Sequence, residues 1–383
     1  MPRGWVFTAS AHAFVWLLCV GAAFGQPRHQ IVEDNPWFVR GGFEPGFVLP
    51  TSDFLSGANA AGQPIRWSPN ATIEIGRQTD GSRLWHHFYH FPAYGLGFSS
   101  AWFSDARELG QPLEVYGFVS WPIGHIFDNL ELTTDFSTGL SWRWRPYNET
   151  TNPFDTIIGS NVNVRFDWGF YARYIITPRL SLYGGLDFTH RSNGELLQPN
   201  DGINVIGPRF NVRYNLSDQR HEPVLIMLPP LPAFHPEWEM VIGGTAGLKN
   251  VLEQSHPTIR QDFRTGTMTF AVQRHFYRFG KAAAGVELTY DGAVGARLDL
   301  ATRAAPSERW TTGVYGGYEH IIARFSVIAQ VGYVVARPLD EPGITRVYER
   351  YGWRYRIMDR LSTTIGMRLI NVFNATQVEV GVA

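Results

Sequence analysis

The residues best suited to chemistry lie in one stretch, HRSNGELLQPNDGIN, residues 190–204. His190 and Ser192 are two apart, so on an extended strand their side chains leave the same face. A serine hydroxyl is a poor nucleophile until a base takes its proton, and an imidazole at that spacing is within reach to do so. The imidazole in turn needs an acceptor for its other ring N–H, which fixes tautomer and orientation, and the side-chain oxygen of Asn204 suits that part. Asp201 and Glu195 are nearby alternatives, but Asp201 has loop geometry and Glu195 directly follows the turn. An asparagine orients an imidazole without the charge that a carboxylate would lend. The backbone N–H of Gly194, next to Asn193, and the side-chain amide of Asn200 are the candidate oxyanion donors. The chemistry expected is acyl transfer through a serine ester, with neither metal nor cofactor.

The elements that must position these groups are strands. In VNVRFDWGFYARYII, residues 162–176, one parity carries Val162, Val164, Phe166, Trp168 and Phe170 while the other carries Asn163, Arg165, Asp167, Tyr171 and Arg173. The run exceeds a typical globular strand, and its apolar side is rich in aromatic rings. Phe136, Thr138, Leu140, Trp142 and Trp144 alternate with Asp135, Ser137, Gly139, Ser141 and Arg143, and Ile365, Met367 and Leu369 alternate with Gly366 and Arg368. Further segments of this kind lie near 93–104, 113–123, 237–250, 265–279, 283–291, 311–322, 325–337 and 346–358. The pattern predicts an all-β, antiparallel transmembrane β-barrel of about 12–16 strands, with 14 the best single figure, an apolar exterior and a polar interior. Closure follows because backbone groups in lipid have no water to pair with. On this parity His190, Ser192 and Asn204 continue the lipid-facing rows of neighbouring strands.

Connection lengths set the orientation. Tight turns are expected near Thr177-Pro178, Gly280-Lys281, Ala323-Arg324 and Asp359-Arg360, and longer loops near 193–203, 250–264, 293–308 and 338–345. Outer-membrane barrels keep short turns on the periplasmic side, which puts 193–203 outside. The 217–236 connection breaks this rule, being long on the predicted periplasmic side. Its apolar run Pro223 to Phe234 is too rich in proline for a helix.

Composition fits export to a membrane. Arg3 followed by the apolar run Ala13 to Phe24 and small residues before Gln26 reads as a secretory signal peptide over 1–25. Residues 26–34 then form a short lead-in, and 35–383 a single barrel domain. The only cysteine, Cys19, lies inside the signal and follows Leu18, so neither a lipoprotein anchor nor disulfides are expected. With 33 basic and 34 acidic side chains, the chain has no electrostatic case for nucleic acid.

His190-Arg191-Ser192-Asn193-Gly194, followed by Pro199-Asn200 and Gly202, resembles the active-site segment of the lipid A 3-O-deacylase (PagL) family, outer-membrane barrel esterases that remove an acyl chain from lipopolysaccharide. The resemblance implies that His190 and Ser192 are base and nucleophile and that Asn200 helps form the oxyanion hole. The family's acid, a glutamate in its best-known members, falls at Asn204. The segment is similar also to that of outer-membrane phospholipase A, whose third member is an asparagine. That enzyme's calcium-loop aspartate would fall at Leu197, so calcium is not implied.

Other features carry less. His86, His87 and His90 in WHHFYHF have no accompanying carboxylate cluster and suit an aromatic girdle better than a metal. His235 is a loop residue, and YGLGF lacks the strand, glycine loop and helix of a phosphate site. Two classes of function follow. The enzyme would hydrolyse a membrane lipid, lipid A or phospholipid, that diffuses to the barrel wall in the outer membrane. The non-enzyme would be a porin whose Arg165, Asp167, Arg173, Arg209 and Arg213 line or plug a channel. The sequence leaves a homodimer open.

Overall fold

The computed structural model describes residues 37–216, 233–252, 260–296, 304–340, 345–370 and 374–383. The signal peptide over 1–25, the lead-in over 26–34 and most of the apolar run Pro223 to Phe234 lie outside the described residues. Contacts divide the chain into two units, one holding the described parts of 19–193 and 199–229, the other those of 194–198 and 230–383.

The first unit is a closed antiparallel barrel of eight strands: β1 (Trp37–Val48), β2 (Trp67–Gln78), β3 (Ala93–Ala101), β4 (Gly110–Phe127), β5 (Leu130–Trp144), β6 (Asn163–Ile175), β7 (Leu180–Ser192) and β8 (Ile203–Asn215). Each strand pairs with its neighbour in sequence, and β1 closes on β8 with Phe43 opposite Phe210. Two short helices, α1 (Leu84–Phe88) and α2 (Ala106–Leu109), sit in its loops. The second unit is another closed barrel of eight: β9 (Trp238–Leu252), β10 (Arg260–Tyr277), β11 (Gly280–Asp291), β12 (Trp310–Ile322), β13 (Phe325–Ala336), β14 (Val347–Met358), β15 (Leu361–Ile370) and β16 (Asn374–Val382), closed by β16 on β9.

The all-β transmembrane class is as expected, but the best figure of 14 strands in one barrel is corrected. Sixteen described strands close as two rings of eight. Alternation reports which face of a strand meets lipid; it carries no information on which strand closes with which. The 217–236 connection, which broke the loop-length rule, runs from β8 of one ring to β9 of the other. It is the boundary between two domains.

Burial is inverted relative to a globular protein. On the first barrel Ile73, Leu96 and Leu186 are 63, 63 and 61% exposed, and on the second Met240 and Ile242 are 77 and 71% exposed. Such walls are stable against hydrocarbon rather than water. The inward parity of the first barrel is polar and buried. Glu114 accepts from Arg191 at 2.5 Å and from Ser99 at 2.6 Å and lies 2.9 Å from the Arg165 guanidinium as an ion pair; Arg209 reaches Glu74 at 3.1 Å and Asp187 at 3.5 Å. Eight strands leave an interior just wide enough for side chains to fill. Arg165, Asp167, Arg209 and Arg213 are accordingly at most 3% exposed, and Arg173 bonds Glu131 at 3.1 Å. These residues plug the first barrel, which disposes of the porin reading for its lumen. Glu114→Ala, which strands the buried Arg191 guanidinium and leaves Arg165 to Asp167 and Ser137, is expected to destabilise this barrel by about 3–5 kcal/mol. The check is the midpoint of thermal unfolding in detergent, and an unchanged midpoint would mean that the network contributes no stability.

One detail of facing is also corrected. Trp144 was expected on the lipid face with Phe136 and Leu140, yet it is 4% exposed. Arg143 adopts φ +69°, which turns the strand end and sends the Trp144 ring inward, where its N–H donates to Ser141 Oγ at 2.8 Å. There Trp144 joins an apolar cluster with Phe54, Leu109, Ile157 and Ile203, formed by the loops at this barrel end. That cluster is the cap on which the site rests.

Candidate active site

His190 and Ser192 end β7, and Asn204 opens β8 directly opposite His190 in the antiparallel register. All three have the outward parity. Their row continues down β7 through Phe188 and Leu186, which are 37 and 61% exposed, while the alternate residues Asp187, Thr189 and Arg191 are buried in the lumen. The register brings the groups into bonding distance: His190 Nδ1 lies 2.8 Å from Asn204 Oδ1, and His190 Nε2 lies 2.9 Å from Ser192 Oγ. An amide oxygen only accepts, so Nδ1 carries the ring proton and Nε2 is left to accept from the serine hydroxyl. That is the tautomer a general base requires.

The site is more enclosed than its parity suggests. Ser192 is only 6% exposed, and His190 and Asn204 are half-buried. Gly202, at φ +70°, lies so close that a Cβ there would stand 3.0 Å from His190 Cε1 and 3.3 Å from Ser192 Cβ. The left-handed backbone and this close approach both call for glycine. Sequence reading took Gly202 only as part of a resemblance and missed its contact with the imidazole edge.

The oxyanion residues are sorted by their existing bonds. Asn193 N–H donates to Asn200 Oδ1 at 2.9 Å, so the main chain of Asn193 is committed. With its oxygen engaged, the Asn200 side chain retains its amide N–H groups as donors. Gly194, two residues past the serine, has φ +66° and a backbone N–H of its own. The alternative acids take no part in the contacts of His190. The Glu195 carboxylate accepts from the Gln198 amide, and the Asp201 N–H donates to Thr156 O at 3.0 Å. Burial holds the Asp201 carboxyl above its ordinary range, opposed by a hydrogen bond from Thr156.

The secondary candidates are structural. His86 and His87 lie in the loop between β2 and β3, at the barrel end opposite the site. His86 Nδ1 accepts from Gly81 N–H at 3.1 Å, and His87 Nε2 donates to Gly81 O at 2.6 Å. His90 is part of the same turn, at φ +54°. His235 is exposed between the barrels' sequences, and Tyr94–Phe98 is a segment of β3. Among the described residues no group of three or more histidine, cysteine, aspartate or glutamate side chains is arranged to hold a metal ion.

Residues 71–215 match the family model described as Lipid A 3-O-deacylase (PagL), and residues 236–383 match that of the acyloxyacyl hydrolase C-terminal domain. The first match spans most of the barrel that carries His190, Ser192 and Asn204, and it makes the chain an ester hydrolase of the bacterial outer membrane. The boundary between the two matches falls at the boundary between the two barrels. Among solved structures, the crystal structure of the outer membrane enzyme PagL is 13% identical, with 47% of this chain and 99% of that chain covered and a TM-score of 0.31. A mutant of the Rh. blastica porin is 10% identical over 90% of this chain and 98% of its own, with a TM-score of 0.17. The Pseudomonas putida toluene transporter TodX is 8% identical over 91 and 87%, also at 0.17. Overlaps this poor assign nothing further. No curated protein matches the chain.

Proposed function

We propose that the protein removes an ester-linked acyl chain from lipid A, using Ser192 as nucleophile, His190 as general base and acid, and Asn204 to orient His190. The observation that carries this reading is the imidazole bridging a serine hydroxyl and an amide oxygen on the outward row of the wall. Ser192 Oγ attacks the ester carbonyl as its proton passes to His190 Nε2, and Asn200 and Gly194 donate to the oxyanion. Collapse breaks the bond to the sugar oxygen, which leaves with the proton from Nε2. Water then attacks the acyl-serine, giving a proton to His190 and releasing the fatty acid, and the serine recovers its hydrogen. No step requires a metal, a cofactor or a second copy of the chain.

Lipid A is favoured over phospholipid by the end of the barrel on which the site sits. The loops there, 49–66, 102–109, 145–162 and 193–202, contrast with the tight turns 128–129 and 176–179 at the other end, though 79–92 is an exception. Long loops mark the outer face, where lipopolysaccharide forms the leaflet. Export would proceed through the signal peptide, cut before Gln26.

The test is the purified full chain in two kinds of vesicle, one carrying lipopolysaccharide and one phospholipid alone, with products read by mass spectrometry. Loss of one ester-linked acyl chain from lipid A is expected, with phospholipids left intact. Fatty acid released from phospholipid alone would move the assignment to a phospholipase, and release from neither would end the esterase reading.

A further inference from the structure

The cap over the site contains a buried carboxyl that the reaction does not use. Asp155 lies in the connection between β5 and β6 and is 0% exposed. Its Oδ1 accepts the backbone N–H groups of Ile157 at 2.8 Å and Ile158 at 3.1 Å, and Asn152 Nδ2 approaches Oδ2 at 3.5 Å. Asn152 is itself anchored, donating to Glu108 O at 2.9 Å and Arg145 O at 3.0 Å. An aspartate that binds the N–H groups two and three residues on fixes a tight turn and thereby aims the carbonyls between them.

Those carbonyls hold the active-site loop. Thr156 O accepts from Asp201 N–H at 3.0 Å, and Ile157 O accepts from Gly202 N–H at 3.2 Å. Gly202 is the residue packed against the His190 ring and Ser192, and Asn200, the oxyanion candidate, directly precedes this pair. Ile157, Ile158 and Ile203 are each 0% exposed in the cap cluster, so the turn is also clamped by packing.

We propose that Asp155 is a positioning residue for the esterase, setting the 200–202 segment against His190 and Ser192 through the Thr156 and Ile157 carbonyls. The inference rests on the proposed function above and deepens it. Its chemical consequence is a pH dependence separate from that of the catalytic base. Burial raises the Asp155 carboxyl to about 7, opposed by its bonds from Ile157 and Ile158 and reinforced by Glu108 on α2 and Asp201 on the site loop. Glu108 in turn faces Asp105 and Arg145, and Asp201 faces Asp53. The sign follows from which form binds better. The carboxylate, present above about pH 7, is the stronger acceptor for two N–H groups, so the turn is held firmly there and loosens as pH falls through that value.

The test compares Asp155→Ala, Asp155→Asn and Ser192→Ala in the full chain, in vesicles carrying lipopolysaccharide, with kcat and KM followed across neutral pH and folding checked by circular dichroism. Asp155→Ala is expected to lower kcat about tenfold or more, since small misplacements of reacting groups are costly, with KM little changed. Asp155→Asn keeps an acceptor in the same place but cannot titrate; it is expected to retain most of the activity above neutrality and to lose the inflection near 7. An Asp155→Ala protein with wild-type kcat overturns the proposal, as does an Asp155→Asn protein that keeps the inflection. If the alanine variant does not fold, the asparagine variant decides alone. Hydrolysis surviving in Ser192→Ala would instead sink the underlying esterase reading.

Discussion

Ser192→Ala is expected to reduce kcat for acyl release by at least about a thousandfold, because it removes the proposed nucleophile that forms the acyl intermediate. KM should change little: the hydroxyl is a small part of what a lipid substrate touches, and the apolar wall that meets the acyl chains is unaltered. His190→Ala is expected to do as much damage, and the double variant little more. Groups that act as one unit do not add when removed together. Neither change should disturb the fold, since both side chains face away from the buried ion-pair lumen. Mass spectrometry of lipid A after incubation gives the rates, and circular dichroism confirms the barrel. Activity in Ser192→Ala above a tenth of wild type would mean that another nucleophile does the work.

The strand faces were legible because a two-residue period is a direct physical record of facing. In β6 to β8, the polar parity of the sequence is the parity buried in the lumen: Arg165, Asp167, Arg191, Arg209 and Arg213 all point in. β1 and β2 were not among the strands read. Gly41, Gly42, Pro45 and Gly46 break the pattern of β1, and at Gly42 and Gly46 the chain passes close to partners. A Cβ on Gly42 would meet Asn211 Oδ1 at 2.1 Å, and one on Gly46 would meet Val205 Cγ1 at 2.5 Å. Missing these two strands hid the fact that β8 closes on β1, and hence that the barrel ends before the second one begins.

The geometry of the candidate site was legible for a related reason. Spacing and parity put His190 and Ser192 on one face, and the hairpin register puts Asn204 opposite His190. Neither step needs knowledge of distant contacts. What remained hidden was everything that reaches the site from other loops. The Asp155 turn lies more than thirty residues before Ser192 in the sequence, and nothing periodic marks it. The only local hint is an aspartate placed two and three residues before a pair of isoleucines, a common turn pattern with no pointer to the loop it supports. The commitment of Asn193 N–H to Asn200 was equally hidden, because it depends on how the loop folds back on itself.

In the proposed mechanism, an asparagine at position 204 separates two roles that a carboxylate normally combines. A triad acid orients the histidine and also stabilises the imidazolium that forms as the serine attacks. The amide oxygen at 2.8 Å supplies the first and not the second. The position suggests why: Asn204 is half-exposed on a wall that faces lipid, where an ionised side chain costs more than a neutral one. Two variants should pull the roles apart. Asn204→Ala removes the orienting bond, and kcat is expected to fall by about ten- to a hundredfold with KM unchanged. Asn204→Asp keeps the shape and adds the charge; with charge-assisted bonds roughly twice as strong as neutral ones, kcat is expected to rise by up to about tenfold. The same vesicle assay, run at one pH above neutrality, reads both. An alanine variant within twofold of wild type would show that the ring is oriented by something other than Asn204. An aspartate variant as slow as the alanine one would show that this wall tolerates only an uncharged partner, so that the neutral amide is a requirement of the membrane position and not a weakened copy of the family's acid.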